Sequence, residues 1–167
     1  MKRKRFHLSH SLAGAVILLA AEGGLLWALG STSFHSPAQW IVVLVFAFVG
    51  AVANIVVATQ VISEVRNATH MLAFLSGVVS EFVAYFAFQY WYLLGILPNS
   101  FAGISNDPVT LLLHSTMIFV FNPLYPPADI VARGLLLINT LGALVLVLFI
   151  LQNIWQFRAQ DNQSAKL

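Results

Sequence analysis

Three ionisable side chains stand inside apolar stretches of the sequence, where a charge is costly and usually has a reason. Glu22 and Glu81 supply carboxyl groups, and His114 supplies an imidazole. A carboxyl group in such a setting is expected to be protonated or bonded to a neighbouring helix, because loss of water disfavours its charged form. The chemistry open to these residues is transfer of a proton or contact with an ion, with pH sensing open to His114.

Each of these residues also has a structural interpretation, which is the one we favour. His114 would then hold its segment against a neighbour by a hydrogen bond. The two carboxyl groups would make polar contacts between helices, and one neighbouring segment offers three partners for them: Asn54, Thr59 and Gln60.

Other chemistry finds no support in the sequence. The chain has no cysteine, which excludes disulfides, thiolate metal sites and thiol redox chemistry. No nucleotide-binding loop is present, and no grouping of Ser, His and Asp indicates an enzyme. Four further histidines lack the spacing of a metal site: His7, His10, His35 and His70. We therefore expect no enzymatic activity, no catalytic residue, no cofactor and no metal.

The elements that position these residues follow from the composition. Of 167 residues, 59% are hydrophobic and 8% are charged, whereas a soluble domain carries roughly 25% charged residues. This composition excludes a cytoplasmic enzyme and a nucleic-acid binder, and it makes the lipid bilayer the expected partner. Half of the eight basic residues form one run, Lys2-Arg3-Lys4-Arg5, which is typical of a topology signal or a contact with lipid headgroups.

A membrane-spanning helix needs about 20 mostly apolar residues, and the sequence contains four such stretches: residues 11–29, 38–62, 71–96 and 130–157. We interpret the first stretch as a span, because it is longer than the apolar part of a signal peptide. The distribution of basic residues favours cytoplasmic termini, because only Arg133 then lies outside. The expected location is the plasma (inner) membrane. Residues 158–167 form a short cytoplasmic tail. Seven aromatic residues near the outer end of the third span predict an anchoring belt at the headgroups: Phe82, Tyr85, Phe86, Phe88, Tyr90, Trp91 and Tyr92.

A fifth apolar stretch, residues 109–121, is too short to span and too hydrophobic for a solvated loop. Asn106-Asp107-Pro108 predicts its helical start, with a capping side chain and a proline in the first turn. Asn122-Pro123 predicts its end. We expect a re-entrant half-helix, which needs an oligomer or a pore to cover its flanking backbone.

This order of helix, half-helix and inner helix resembles the pore domain of potassium channels over residues 71–157. The run Ser100-Phe101-Ala102-Gly103, with Asp107, looks like the turret of small bacterial members. Residues 127–135 resemble their P-x-x-x-x-A-R-x-L motif. Aligning Ala132-Arg133 on that motif places the family's T-L-T-T-V-G-Y-G filter on residues 116–123, where only Thr116 and Val120 match.

The resemblance implies a pore whose filter positions are occupied by other residue types. A potassium filter needs two glycines, because its alternating backbone visits left-handed conformations. Phe121 would have a Cβ penalty there, and Pro123 cannot reach a positive φ. We expect no potassium selectivity. A ring of Asn122 amides below Tyr125 would stand at the mouth, with Phe119 or Phe121 as an apolar constriction that either gates or permanently closes the path.

The expected inner-helix residues are Asn139, which either faces the pore or acts as polar packing, and Gly142. The expected fold class is an all-α integral membrane protein with four transmembrane helices plus a re-entrant pore half-helix. Its units are a two-helix hairpin (1–70), a pore-like module (71–157) and the tail. The expected function is that of a homo-oligomeric, channel-like protein that passes an inorganic ion, and the resemblance implies a tetramer. The alternative is a non-conducting scaffold or regulatory subunit.

Overall fold

A computed structural model describes residues 37–64 and 68–164 of the chain. In these ranges the chain forms four helices and no strands, which confirms the all-α class for the part described. We number the helices in chain order: α1 (Pro37–Glu64), α2 (Ala68–Ile96), α3 (Pro108–Phe119) and α4 (Ile130–Ser164). The first predicted span, residues 11–29 with Glu22, lies outside the described residues.

Three of the four helices are long and apolar enough to cross a membrane. The candidate spans are Gln39–Thr59 in α1, Met71–Ile96 in α2 and Ile130–Trp155 in α4. They correspond to the second, third and fourth stretches of the sequence. The chain is therefore a membrane protein by the length and composition of these helices.

Helix α1 packs closely against α2, because a glycine of α1 faces a large ring of α2. A Cβ atom added at Gly50 would lie 2.0 Å from the Cζ atom of Tyr85. The Tyr85 hydroxyl also donates a hydrogen bond to the backbone carbonyl of Phe46 in α1. Small residues at helix contacts allow this close approach in membranes, where packing must replace the hydrophobic effect.

A second glycine brings α4 into the same core. A Cβ atom at Gly142 would lie 3.0 Å from the Phe82 ring of α2 and 3.3 Å from the Cβ atom of Ala51 in α1. Phe82 is fully buried. One hydrophobic core therefore unites α1, α2 and α4, and α3 joins it through Leu111 and Ile118.

The predicted aromatic belt on α2 is wrong for most of its members. Only Phe88 and Trp91 are exposed. The other five turn into the protein and form part of its core: Phe82, Tyr85, Phe86, Tyr90 and Tyr92. The physical reason is that α2 is covered by other helices on two sides, so most of its aromatic rings pack against protein.

Candidate functional site around the half-helix α3

The start of α3 is fixed by the capping side chain that the sequence predicts. Asp107 has an extended backbone (φ −110°, ψ 149°), and its carboxylate accepts a hydrogen bond from the Thr110 N–H at 2.9 Å. The Ser105 hydroxyl donates to the same carboxylate at 2.7 Å, and Pro108 stands in the first turn. The bonds from Ser105 and Thr110 hold the pKa of Asp107 at about 2, so the cap is ionised at neutral pH.

The end of α3 comes two residues before the predicted one. The helix stops at Phe119, and Val120 is its C-cap. The Phe121 N–H donates to the Ile118 carbonyl at 2.8 Å, and the Asn122 N–H donates to the Met117 carbonyl at 2.8 Å. This pair of bonds is a Schellman motif, which ends a helix with a left-handed residue.

The left-handed residue of this motif is Phe121, with φ of 61°. The Cβ atom of Phe121 disfavours this conformation, and the two backbone hydrogen bonds of the motif hold the residue in it. A non-glycine residue in this region costs roughly 1–2 kcal/mol, and such strain is often found at functional sites.

Replacing this residue by glycine is expected to stabilise the protein. Phe121→Gly removes the Cβ strain, and after the larger chain entropy of glycine is subtracted the net gain should be roughly 0.5–1 kcal/mol. Val120→Gly is the matched control, since Val120 has an ordinary φ of −95°, and it should destabilise by about 1 kcal/mol. Thermal unfolding in detergent measures both. Equal destabilisation by the two variants would show that the Phe121 ring makes stabilising contacts of its own.

Helix α3 runs antiparallel to the second half of α2. The His114 ring of α3 lies 4.9 Å from the Tyr90 ring of α2. Further along α3, the Ser115 hydroxyl donates to the Val83 carbonyl at 2.8 Å, and the Phe119 ring lies 5.9 Å from the ring of Phe82. Since Phe82 stands at the middle of α2, α3 ends beside the midpoint of a candidate span.

The segments before and after α3 are tied to each other. We call residues 97–107 the approach loop and residues 120–129 the exit segment. Phe101 and Pro127 form an antiparallel bridge between them. The Ala102 N–H donates to the Pro126 carbonyl at 3.0 Å, and the Ala128 N–H donates to the Ser100 carbonyl at 2.8 Å. The chain therefore leaves for α3 and returns from it at the same end of α2.

The His114 ring is enclosed by aromatic rings. It is fully buried, with ring centroids of Phe101 at 5.2 Å and Tyr125 at 5.4 Å in addition to Tyr90. Neither ring nitrogen has a hydrogen-bond partner in the described part of the chain. Ring packing therefore holds His114, in place of the hydrogen bond that the sequence predicts.

The two inner-helix residues face the protein's own core. Asn139 is fully buried, and its side-chain amide donates to the Tyr90 hydroxyl at 2.9 Å. Gly142 faces Phe82 and Ala51. These positions favour the packing interpretation of Asn139 over a position on a pore axis.

The residues at the predicted filter positions divide into two groups. Phe119 and Tyr125 are partly buried against Phe82 and His114. The others are exposed in the single chain: Thr116, Val120, Phe121 and Asn122. The Thr116 hydroxyl bonds the Leu112 carbonyl of its own helix. Four of these six positions are therefore largely uncovered by the described part of the chain.

Glu81 is partly exposed and has no hydrogen bond or ion pair with any described residue. Its two described candidate partners bond their own helix instead. The Asn54 amide donates to the Gly50 carbonyl at 2.9 Å, and the Thr59 hydroxyl donates to the Ile55 carbonyl at 2.5 Å. The third candidate, the side chain of Gln60, lies outside the described residues. The described range also holds no group of three or more His, Asp or Glu residues that could bind a metal ion.

Comparison with known proteins adds no family to this description. No family model matches the chain, no curated protein matches it, and no solved structure matches it. Over residues 37–64 and 68–164, the fold defines an all-helical membrane protein with three candidate spans and one short helix beside them.

Proposed function

We propose that the chain is a subunit of a homo-oligomeric, channel-like membrane protein on the scaffold of a potassium-channel pore domain, without potassium selectivity. The observation that carries the proposal is the path of the chain around α3. The chain passes from the end of α2 to its midpoint and returns to the same end. In a membrane, this path is that of a re-entrant half-helix.

The backbone that follows α3 supports an oligomer. This backbone is at the level of Phe82, so in a membrane it would lie near the middle of the bilayer. Non-helical backbone is tolerated there only against protein or water. Within the described residues, no hydrogen bond reaches the backbone carbonyls of Val120, Phe121 or Asn122, and all three residues are exposed. Neighbouring subunits around a wetted axis would satisfy both requirements.

The exposed face of α4 also supports association. It carries leucines at alternating intervals of four and three residues, which is the spacing of a left-handed helix contact. These leucines are all exposed in the single chain: Leu137, Leu141, Leu144, Leu148 and Leu151. This spacing would allow a second copy of α4 to pack along the same face.

The residues that follow α3 argue against potassium selectivity. A potassium filter needs consecutive carbonyls that face one axis, and here one left-handed residue closes a helix instead. Phe121 is 47% exposed, so its ring is free to form an apolar constriction beside Asn122. A non-conducting scaffold or regulatory subunit is the second candidate, since Val120 and Phe121 place apolar groups where a wetted path would need polar ones.

The orientation belongs to the same proposal. The termini and the loop with Arg66 would face the cytoplasm, because basic residues concentrate on that side. The approach loop and the exit segment would then face outward from the plasma (inner) membrane. The partners would be the lipid bilayer, further copies of this chain and an inorganic ion. The proposed role involves no enzymatic step and no cofactor.

The oligomer is tested by native mass spectrometry of the protein released from lipid nanodiscs. We expect four copies of the chain. The double variant Leu144→Ala/Leu148→Ala should reduce the tetramer fraction, because it removes two contacts of the α4 heptad. The control Val52→Ala/Val56→Ala changes two exposed residues of α1 and should leave the tetramer intact. Monomers alone for the unchanged protein would contradict the proposal.

A further inference from the structure

The enclosure of His114 joins three separate parts of the chain. Tyr90 comes from α2, Phe101 from the approach loop and Tyr125 from the exit segment. The approach loop and the exit segment also hold each other through the bridge of Phe101 and Pro127. The imidazole therefore lies where α2, the approach loop and the exit segment meet.

No charged side chain of the described residues bonds this ring. The titratable side chains packed against it are Tyr90 and Tyr125, and the approach loop presents Phe101, which does not titrate. The described side chains include four charged residues, and none bonds His114. The carboxylates of Asp107 and Asp129 cap α3 and α4 through bonds to nearby N–H groups. Glu81 stands nine positions from Tyr90 along α2, and Arg133 is exposed on α4.

We propose that His114 is a pH-sensitive switch at the contact between the approach loop and the exit segment. The neutral imidazole holds the two segments together, and its protonation separates them. A neutral imidazole packs well among three rings. An imidazolium in the same place is shielded from bulk solvent and bonds no carboxylate of the described chain, and burial of an unpaired charge is strongly unfavourable. Protonation therefore requires the ring to reach water, and that movement removes a contact from both loops at once.

The direction of the effect follows from proton binding. Burial among the rings, with no bonded partner in the described chain, disfavours the charged form of the imidazole. The open form therefore binds a proton more readily than the closed form, so a fall in pH favours opening.

A buried serine of the approach loop provides the reporter. Ser100 is 1% exposed, and its hydroxyl has no partner in the described chain, so Ser100→Cys introduces a near-isosteric thiol into a chain without cysteine. The full-length variant in lipid nanodiscs is treated with a dipyridyl disulfide, which reacts with thiols in acid. Its rate is divided by that of free cysteine at the same pH. We expect this ratio to rise by at least about tenfold between pH 7.5 and 4.5.

Substitutions at His114 and at His70 in the same background decide the origin of the rise in this ratio. His114→Phe keeps a ring in the enclosure but cannot take a proton, so the ratio should not change with pH; His114→Gln serves the same purpose if the first variant does not fold. His70→Phe, near the opposite end of α2 from Tyr90, should keep the full rise in the ratio. An acid response that survives in both His114 variants would overturn the proposal, as would a flat ratio in the background carrying native His114.

Discussion

Replacing Gly50 by alanine should be among the most damaging single changes in this protein. The new Cβ atom would lie 2.0 Å from Cζ and 2.3 Å from Cε1 of Tyr85. Tyr85 is 2% exposed and bonds the Phe46 carbonyl, so its ring has no room to withdraw. We expect a loss of roughly 3 kcal/mol from overpacking, which corresponds to a fall of roughly 10 °C in the unfolding midpoint in detergent.

Gly77 provides the matched control for this prediction. It also lies inside a candidate span, but a Cβ added there meets nothing within 4 Å. Gly77→Ala should therefore be neutral, or stabilising by up to about 1 kcal/mol through the higher helix propensity of alanine. Equal losses of stability from the two substitutions would show that the close contact between Gly50 and Tyr85 is not the cause of the destabilisation.

The contact between Gly50 and Tyr85 illustrates what the sequence could and could not predict. Long apolar stretches are visible in the sequence because a membrane demands about 20 apolar residues per span, and α1, α2 and α4 match these stretches. The direction in which Tyr85 points was not visible. A helix that is apolar on all sides carries no periodic signal for its buried face, so this tyrosine resembled a headgroup anchor.

Helix α3 likewise has features that the sequence could predict and features that it could not. Its start was predictable, because Asp107 and Pro108 are local signals that act through adjacent backbone groups. Its end was predicted two residues late, since the motif that closes it recruits Phe121 into a conformation that glycine normally takes. The positions of His114 and Asn139 depend on which helices meet, and that information lies in tertiary packing.

Phe119 and Phe121, which the sequence makes equal candidates for an apolar constriction, should differ in their effect on conduction. Phe121 is exposed and touches no other ring of the described chain, whereas Phe119 packs edge-on against Phe82. In planar bilayers with potassium opposed to sodium, the unchanged protein should show no preference for potassium. Phe121→Ala should raise its current by about tenfold, if the ring contributes about 1.4 kcal/mol to the barrier of an apolar neck.

Phe119→Ala should behave differently, because it removes a contact within the subunit. We expect a loss of roughly 2 kcal/mol in stability and a smaller change in current than Phe121→Ala gives. A potassium preference like that of a glycine-containing filter would refute the steric argument, since Pro123 cannot adopt the required backbone. If the unchanged protein and both variants pass no current, the non-conducting scaffold becomes the function that these residues support.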